Sequence, residues 1–123
     1  MIKRPVARVV HLSGMVLLAS LALLHISITP FMFKELSGRL VWYVATDFSV
    51  LLLLFLNVTV LYIEGPTRVP WRICHIANIL GVALGILQMM SVSDPVNVIV
   101  LIAYVLVAVG AYVRDRSQKV ATT

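Results

Sequence analysis

Four apolar stretches, at about residues 9–28, 40–63, 71–90 and 96–113, constrain this chain more than any other feature. A bilayer core is crossed by roughly 20 apolar residues in a helix, with a working range of about 17–25. In hydrocarbon every backbone N–H and C=O must be satisfied within the segment, which a helix achieves and an open strand does not. The composition agrees, with 61% hydrophobic and 12% charged residues, where a soluble domain carries about a quarter charged. The expected fold is all-α: a four-helix transmembrane bundle, up-down-up-down, formed by one integral membrane domain over residues 1–123.

The breaks between the stretches carry recognisable punctuation. MIKRPVAR and the apolar run after it have the order of a secretory signal, but the run is too long for a signal's apolar core and is expected to be the first membrane helix. Thr29-Pro30 is predicted to end that helix, leaving 30–39 as an interfacial segment on the outer side. Glu64 to Pro70 combines a helix stop with a prolyl restart, and Trp71-Arg72 is expected at the water boundary. Ser93-Asp94-Pro95 offers an N-cap side chain and then a proline at the first helical position. Residues 114–123 are polar and basic and are expected to form an exposed tail.

Charge orients such a chain. Of the 10 Lys and Arg residues, Lys3, Arg4, Arg8, Arg68, Arg72, Arg114, Arg116 and Lys119 fall on one side of the bundle, and Lys34 and Arg39 on the other. The positive-inside rule then places both termini and the second loop in the cytoplasm, as expected of a multi-pass protein of the inner (plasma) membrane. The net charge of +5 would suit nucleic acid, but the cations lie beside apolar runs as anchors, and no nucleic-acid partner is expected. The single cysteine, Cys74, excludes an intrachain disulfide.

Between membrane helices, small residues and polar side chains mark packed faces, because lipid is as apolar as leucine. Cys74, Asn78, Gly81, Gly85 and Gln88 share one stripe of the third helix, and Gly81-x-x-x-Gly85 with Asn78 reads as helix packing. On the fourth, Asn97, Tyr104, Ala108 and Ala111 line up. On the first, Ser13, Ser20 and Ser27 repeat every seven residues and read as another packing face, opposite His11, Gly14, Leu18, Ala22 and His25.

Asp47, well inside the second stretch, is the main chemical anomaly. An acid at the centre of a membrane helix costs about 2.5–3.5 kcal/mol on insertion scales, so it is expected to be paired or protonated. His25 lies at a similar depth on the first helix, and Tyr43 one turn above Asp47 is a further donor. Asp47, His25 and Tyr43 therefore form a candidate polar clasp or, alternatively, a coupling site. His11, Asn57, Cys74, His75 and Asn78 make a second polar layer toward the cytoplasmic end. Three histidines cannot hold the two haems of a four-histidine membrane cytochrome, but His11 and His75 could ligate one haem b or contact a quinone. No metal-ligand spacing is present, and the expectation is that no cofactor is bound.

The run H25-x3-T29-P30-x2-F33-x-E35-L36-S37, followed by L40-V41-W42 and by Leu56-Asn57, resembles a pattern in small, uncharacterised bacterial inner-membrane proteins with four helices. The resemblance covers the first half of the chain and implies a fold and a bacterial membrane, with no activity attached. No nucleophile with its base, phosphate loop or soluble catalytic domain is visible, so an enzyme acting alone is not indicated. The expected function is that of a small membrane protein acting through helix contacts, as an accessory or modulatory subunit of a larger assembly or as a homo-oligomer. The alternatives are a proton- or cation-coupled transporter using Asp47 and a redox subunit using His11 and His75.

Overall fold

The computed structural model describes residues 4–35, 37–62, 68–91 and 94–121. They form four helices, α1 Arg4–Met32, α2 Gly38–Tyr62, α3 Arg68–Ser91 and α4 Pro95–Ala121. Each is long and apolar enough to cross a membrane, and no more than a third of each span is buried inside the chain. The outward faces are apolar, with Val16, Leu23, Leu52, Phe55, Ile79, Leu80 and Ile102 all exposed. These are the surfaces that lipid would cover.

Local chemistry sets the helix ends. Pro5 sits in the first turn of α1, where its missing N–H costs nothing. Pro30, expected to stop α1, lies inside it, and the helix runs on to Met32. So close to the end, the proline removes only one intrahelical bond, and the neighbouring Thr29 hydroxyl donates to the His25 carbonyl at 2.7 Å. Ser37 caps α2 by accepting from Leu40 N–H at 3.3 Å. Asp94 caps α4 by accepting from Val96 N–H at 2.9 Å, with Pro95 at the first helical position. Of the hairpin expected over Glu64 to Pro70, residues 64–67 lie outside the described residues, as does Ser93.

The expected tail at 114–123 is largely helix, since α4 continues to Ala121. Side chains one turn apart bridge this polar stretch: Lys119 Nζ donates to Asp115 Oδ2 at 2.7 Å, and Ser117 Oγ donates to the Val113 carbonyl at 2.8 Å. The serine face of α1 is also not a packing face. Ser13, Ser20 and Ser27 are exposed and donate back to the carbonyls of Val10, Val16 and Leu23 on their own helix. A hydroxyl satisfied this way can face lipid without a partner helix.

The helices close into a ring in which α1 packs on α2 and α4, and α3 packs on α2 and α4. The most extensive of these contacts is between α1 and α4, the first and last helices. Glycine permits it at two points. A Cβ on Gly110 would lie 2.5 Å from His11 Cα and 2.6 Å from His11 N, and one on Gly14 would lie 2.8 Å from Val107 N. Both are backbone contacts, so no side-chain rotation could relieve them. Leu18 and Ala22 on α1, with Ala103 and Val107 on α4, continue into an apolar core completed by Met15, Val50, Leu53, Leu54 and Tyr104.

Gly81 and Gly85, expected to mark helix packing, pack α3 against α4. Cβ atoms there would come within 2.9 Å and 3.0 Å of the Tyr104 ring, so the pair forms a slot on α3 for an aromatic side chain of α4. Trp71, expected at the water boundary, turns into the chain: it is 3% exposed and packs with Val60, Cys74 and Ala111 in a second apolar cluster.

Gly110→Ala should therefore lower stability by about 1–3 kcal/mol, because inserted atoms force packed elements apart. Gly38→Ala, with nothing within 4 Å of the new carbon, should be neutral or slightly stabilising. Thermal unfolding of the two purified variants in detergent provides the comparison.

Candidate functional site

Three polar clusters lie within or at the ends of the apolar frame. The first joins α1 to α2. Asp47 projects from the buried stripe of α2 that continues through Val50, Leu54 and Asn57. Nine residues past Gly38, it lies about 14 Å along the helix at 1.5 Å per residue. Its Oδ2 is 2.7 Å from His25 Nδ1. The Asp47 side chain is 7% exposed and that of His25 34% exposed, so the acid is enclosed while the imidazole reaches the surface of the bundle.

A single proton between these atoms serves either charge state. An imidazolium with a carboxylate and a neutral imidazole donating from Nδ1 share this geometry, and in both the imidazole N–H donates. Tyr43 belongs to the cluster through its ring. It stacks on His25 with centroids 5.1 Å apart, and Phe33 lies against it at 5.3 Å. Among the described residues Tyr43 makes no hydrogen bond to Asp47, which corrects its expected role as a further donor. It is instead an aromatic wall around the imidazole.

The second cluster is fully enclosed and joins three helices. Asn57 Oδ1 accepts from His11 Nε2 at 2.9 Å, from Asn78 Nδ2 at 3.2 Å and from the Cys74 thiol at 3.3 Å. Its Nδ2 donates to Asn78 Oδ1 at 2.8 Å and to the Leu53 carbonyl at 2.9 Å. The two amides thus pair reciprocally, with His11 and Cys74 added at the acceptor side. His11, Asn57 and Cys74 are each 0% exposed and Asn78 is 2% exposed. Asn78, expected both as helix packing and as part of this polar layer, is one of the two amides at the centre. If the ring is neutral, donation from Nε2 sets the His11 tautomer and leaves Nδ1 as a bare acceptor; that atom is buried and has no partner among the described residues.

The third cluster ties α3 to the last turns of α4. His75 Nε2 lies 3.0 Å from Asp115 Oδ2, the oxygen that also accepts from Lys119. Trp71 and Tyr112 flank the His75 ring at 5.8 Å and 6.0 Å, and the Arg116 guanidinium lies 5.4 Å above Tyr112. His11 and His75, considered together as ligands of one cofactor, each direct Nε2 to a different neighbour. No three His, Cys, Asp or Glu side chains among the described residues converge as a metal site.

Asp115 is the participant that the sequence reading missed. It sits in a run of basic residues that resembles a tail, and its only available signal was its i, i+4 relation to Lys119. Gly110 was missed as well. A lone glycine among alanine and valine gives no small-xxx-small spacing by itself, yet it is what brings His11 against α4.

Asn57→Leu should be destabilising by about 1–3 kcal/mol, since it strips an acceptor from three buried donors. In Asn57→Leu/Asn78→Leu the loss should be clearly less than the sum of the single losses, because each change removes groups that the other would strand. Denaturant titration of the four proteins of this cycle in detergent measures both effects.

Comparison with protein-family models, curated proteins and solved structures returns no match to this chain.

Proposed function

We propose that the chain crosses the membrane four times, up-down-up-down, with both termini on the cytoplasmic side of a bacterial inner membrane. It acts there through helix contacts, as an accessory or modulatory subunit of a larger membrane assembly or as a homo-oligomer. The contact pairs His25 with Asp47 and His11 with Asn57 support antiparallel neighbours, since advancing along α1 means retreating along α2. The eight-to-two distribution of cations supports the orientation. Replacing Lys119 or Lys34 with cysteine tests it: in sealed, inside-out vesicles an impermeant maleimide should label the position 119 thiol and spare position 34. The native thiol, Cys74, is fully buried and contributes little background.

The observation that carries the functional reading is the 2.7 Å contact between His25 and Asp47. The one acid in the middle of a span is held by the neighbouring helix, so its charge is met inside the chain. The outer surface then consists largely of apolar helix faces, suited to lipid or to another membrane protein. Solubilisation in mild detergent followed by mass measurement should give a homo-oligomer or a complex with a partner; a clean monomer without one would sink this reading.

Coupled transport of protons or cations is the second reading, favoured by the partial exposure of His25, which leaves the pair reachable from outside the chain. Asp47→Asn distinguishes the two. A clasp should lose about 1–2 kcal/mol of stability when the charge-assisted bond becomes a neutral one. A coupling site should lose proton-driven flux in proteoliposomes with the unfolding transition unchanged.

A further inference from the structure

The contact between α1 and α4 has a regular register: Gly14 meets Val107 and Gly110 meets His11. Three residues back along α1 correspond to three forward along α4. One turn further, the same register brings Arg114 beside Ala7, which is 2% exposed, and hence next to Arg8. Arg8 follows Ala7 on the same turn of α1. Arg8 is exposed and Arg114 half-buried. One guanidinium nitrogen of Arg114, Nη1, is buried and has no hydrogen-bond partner among the described residues.

Two like charges side by side, one with a buried bare N–H, are unfavourable unless an anion joins them. The acid next in sequence does not serve: Asp115 pairs with His75 and Lys119, and among the described residues no ion pair joins it to Arg114. Two other cations of α4 have their own partners: Arg116 lies over the Tyr112 ring and Lys119 is paired with Asp115. Arg114 follows directly on the apolar run that ends at Val113, at the level where a span emerges among lipid headgroups. The planar fork of arginine matches phosphate oxygens in pairs, and basic clefts between helices at this level suit anionic headgroups.

We propose that Arg8 and Arg114 together bind the phosphate of an anionic phospholipid headgroup, where the N-terminal turns of α1 meet the C-terminal turns of α4. The site requires a membrane around the chain. It does not depend on the accessory-subunit reading or on the Asp47 clasp, and those can fail without affecting it.

The test uses the full chain in neutral detergent, with phosphatidylglycerol, phosphatidylcholine or inorganic phosphate added in turn. Bound lipid is read by native mass spectrometry and stabilisation by thermal unfolding. Phosphatidylglycerol should remain bound and raise the unfolding temperature, whereas phosphatidylcholine and inorganic phosphate should do so much less. Arg8→Gln and Arg114→Gln should each weaken phosphatidylglycerol binding by about tenfold, the loss expected for one charge-assisted contact. Arg114→Lys should retain part of the binding, and Arg116→Gln all of it. Equal binding of phosphatidylcholine would overturn the proposal, as would equal losses in Arg116→Gln and Arg114→Gln. An equal effect of inorganic phosphate would overturn the lipid assignment. If Arg114→Gln fails to fold, the exposed Arg8 still decides: wild-type retention in Arg8→Gln refutes the paired site.

Discussion

The bundle is organised around the carboxamide of Asn57. Its oxygen accepts from α1 through His11 and from α3 through both Asn78 and Cys74, so one side chain fixes the mutual position of three helices. In water the hydrophobic effect would bring helices together without such a device. In lipid that force is absent between apolar surfaces, and packing with interhelical hydrogen bonds must supply both affinity and register. The fourth helix enters the same arrangement through backbone contact, because Gly110 presses on the backbone of His11 and so holds the ring toward Asn57. A small residue and a polar residue thus share one task from opposite sides of α1.

The other two clusters sit on either side of this hub and repeat one motif. Each sets a histidine of one helix against an aspartate of a neighbour, His25 with Asp47 and His75 with Asp115, and each surrounds the ring with aromatic side chains. The two differ in what else reaches the acid. Asp115 has a further partner in the cation Lys119, which is largely exposed, while Asp47 has His25 alone among its described partners. The first arrangement is a settled ion-pair network at the end of a helix. The second sets a carboxylate against an imidazole within the apolar frame, which is why structural and coupling roles compete there.

Much of this was legible in the sequence, for reasons that can be stated. The length of an apolar run reports membrane thickness directly, so the four spans were readable, as was the match in depth between Asp47 and His25. The stripe Cys74, Asn78, Gly81, Gly85 was readable because polar and small residues on a membrane helix have few places to go except inward. What escaped was whatever depends on a third dimension. The serine repeat of α1 has packing periodicity, but a hydroxyl can satisfy itself on its own helix, so periodicity alone did not identify the buried face. The end of α4 was misread because its polar residues are bridged along the helix and across to α3. Nothing local marks Gly110 as the point where two backbones touch.

Pairing the first helix with the last has a consequence for biogenesis. A chain threaded into the bilayer from its N-terminus delivers α1 first, and the face bearing His11, Gly14 and Leu18 stays uncovered until α4 follows. During that interval the nascent chain can form its α1–α2 and α2–α3 contacts while the ring remains open. Closure waits for α4, so a chain truncated before Gly110 would leave the seam along α1 open.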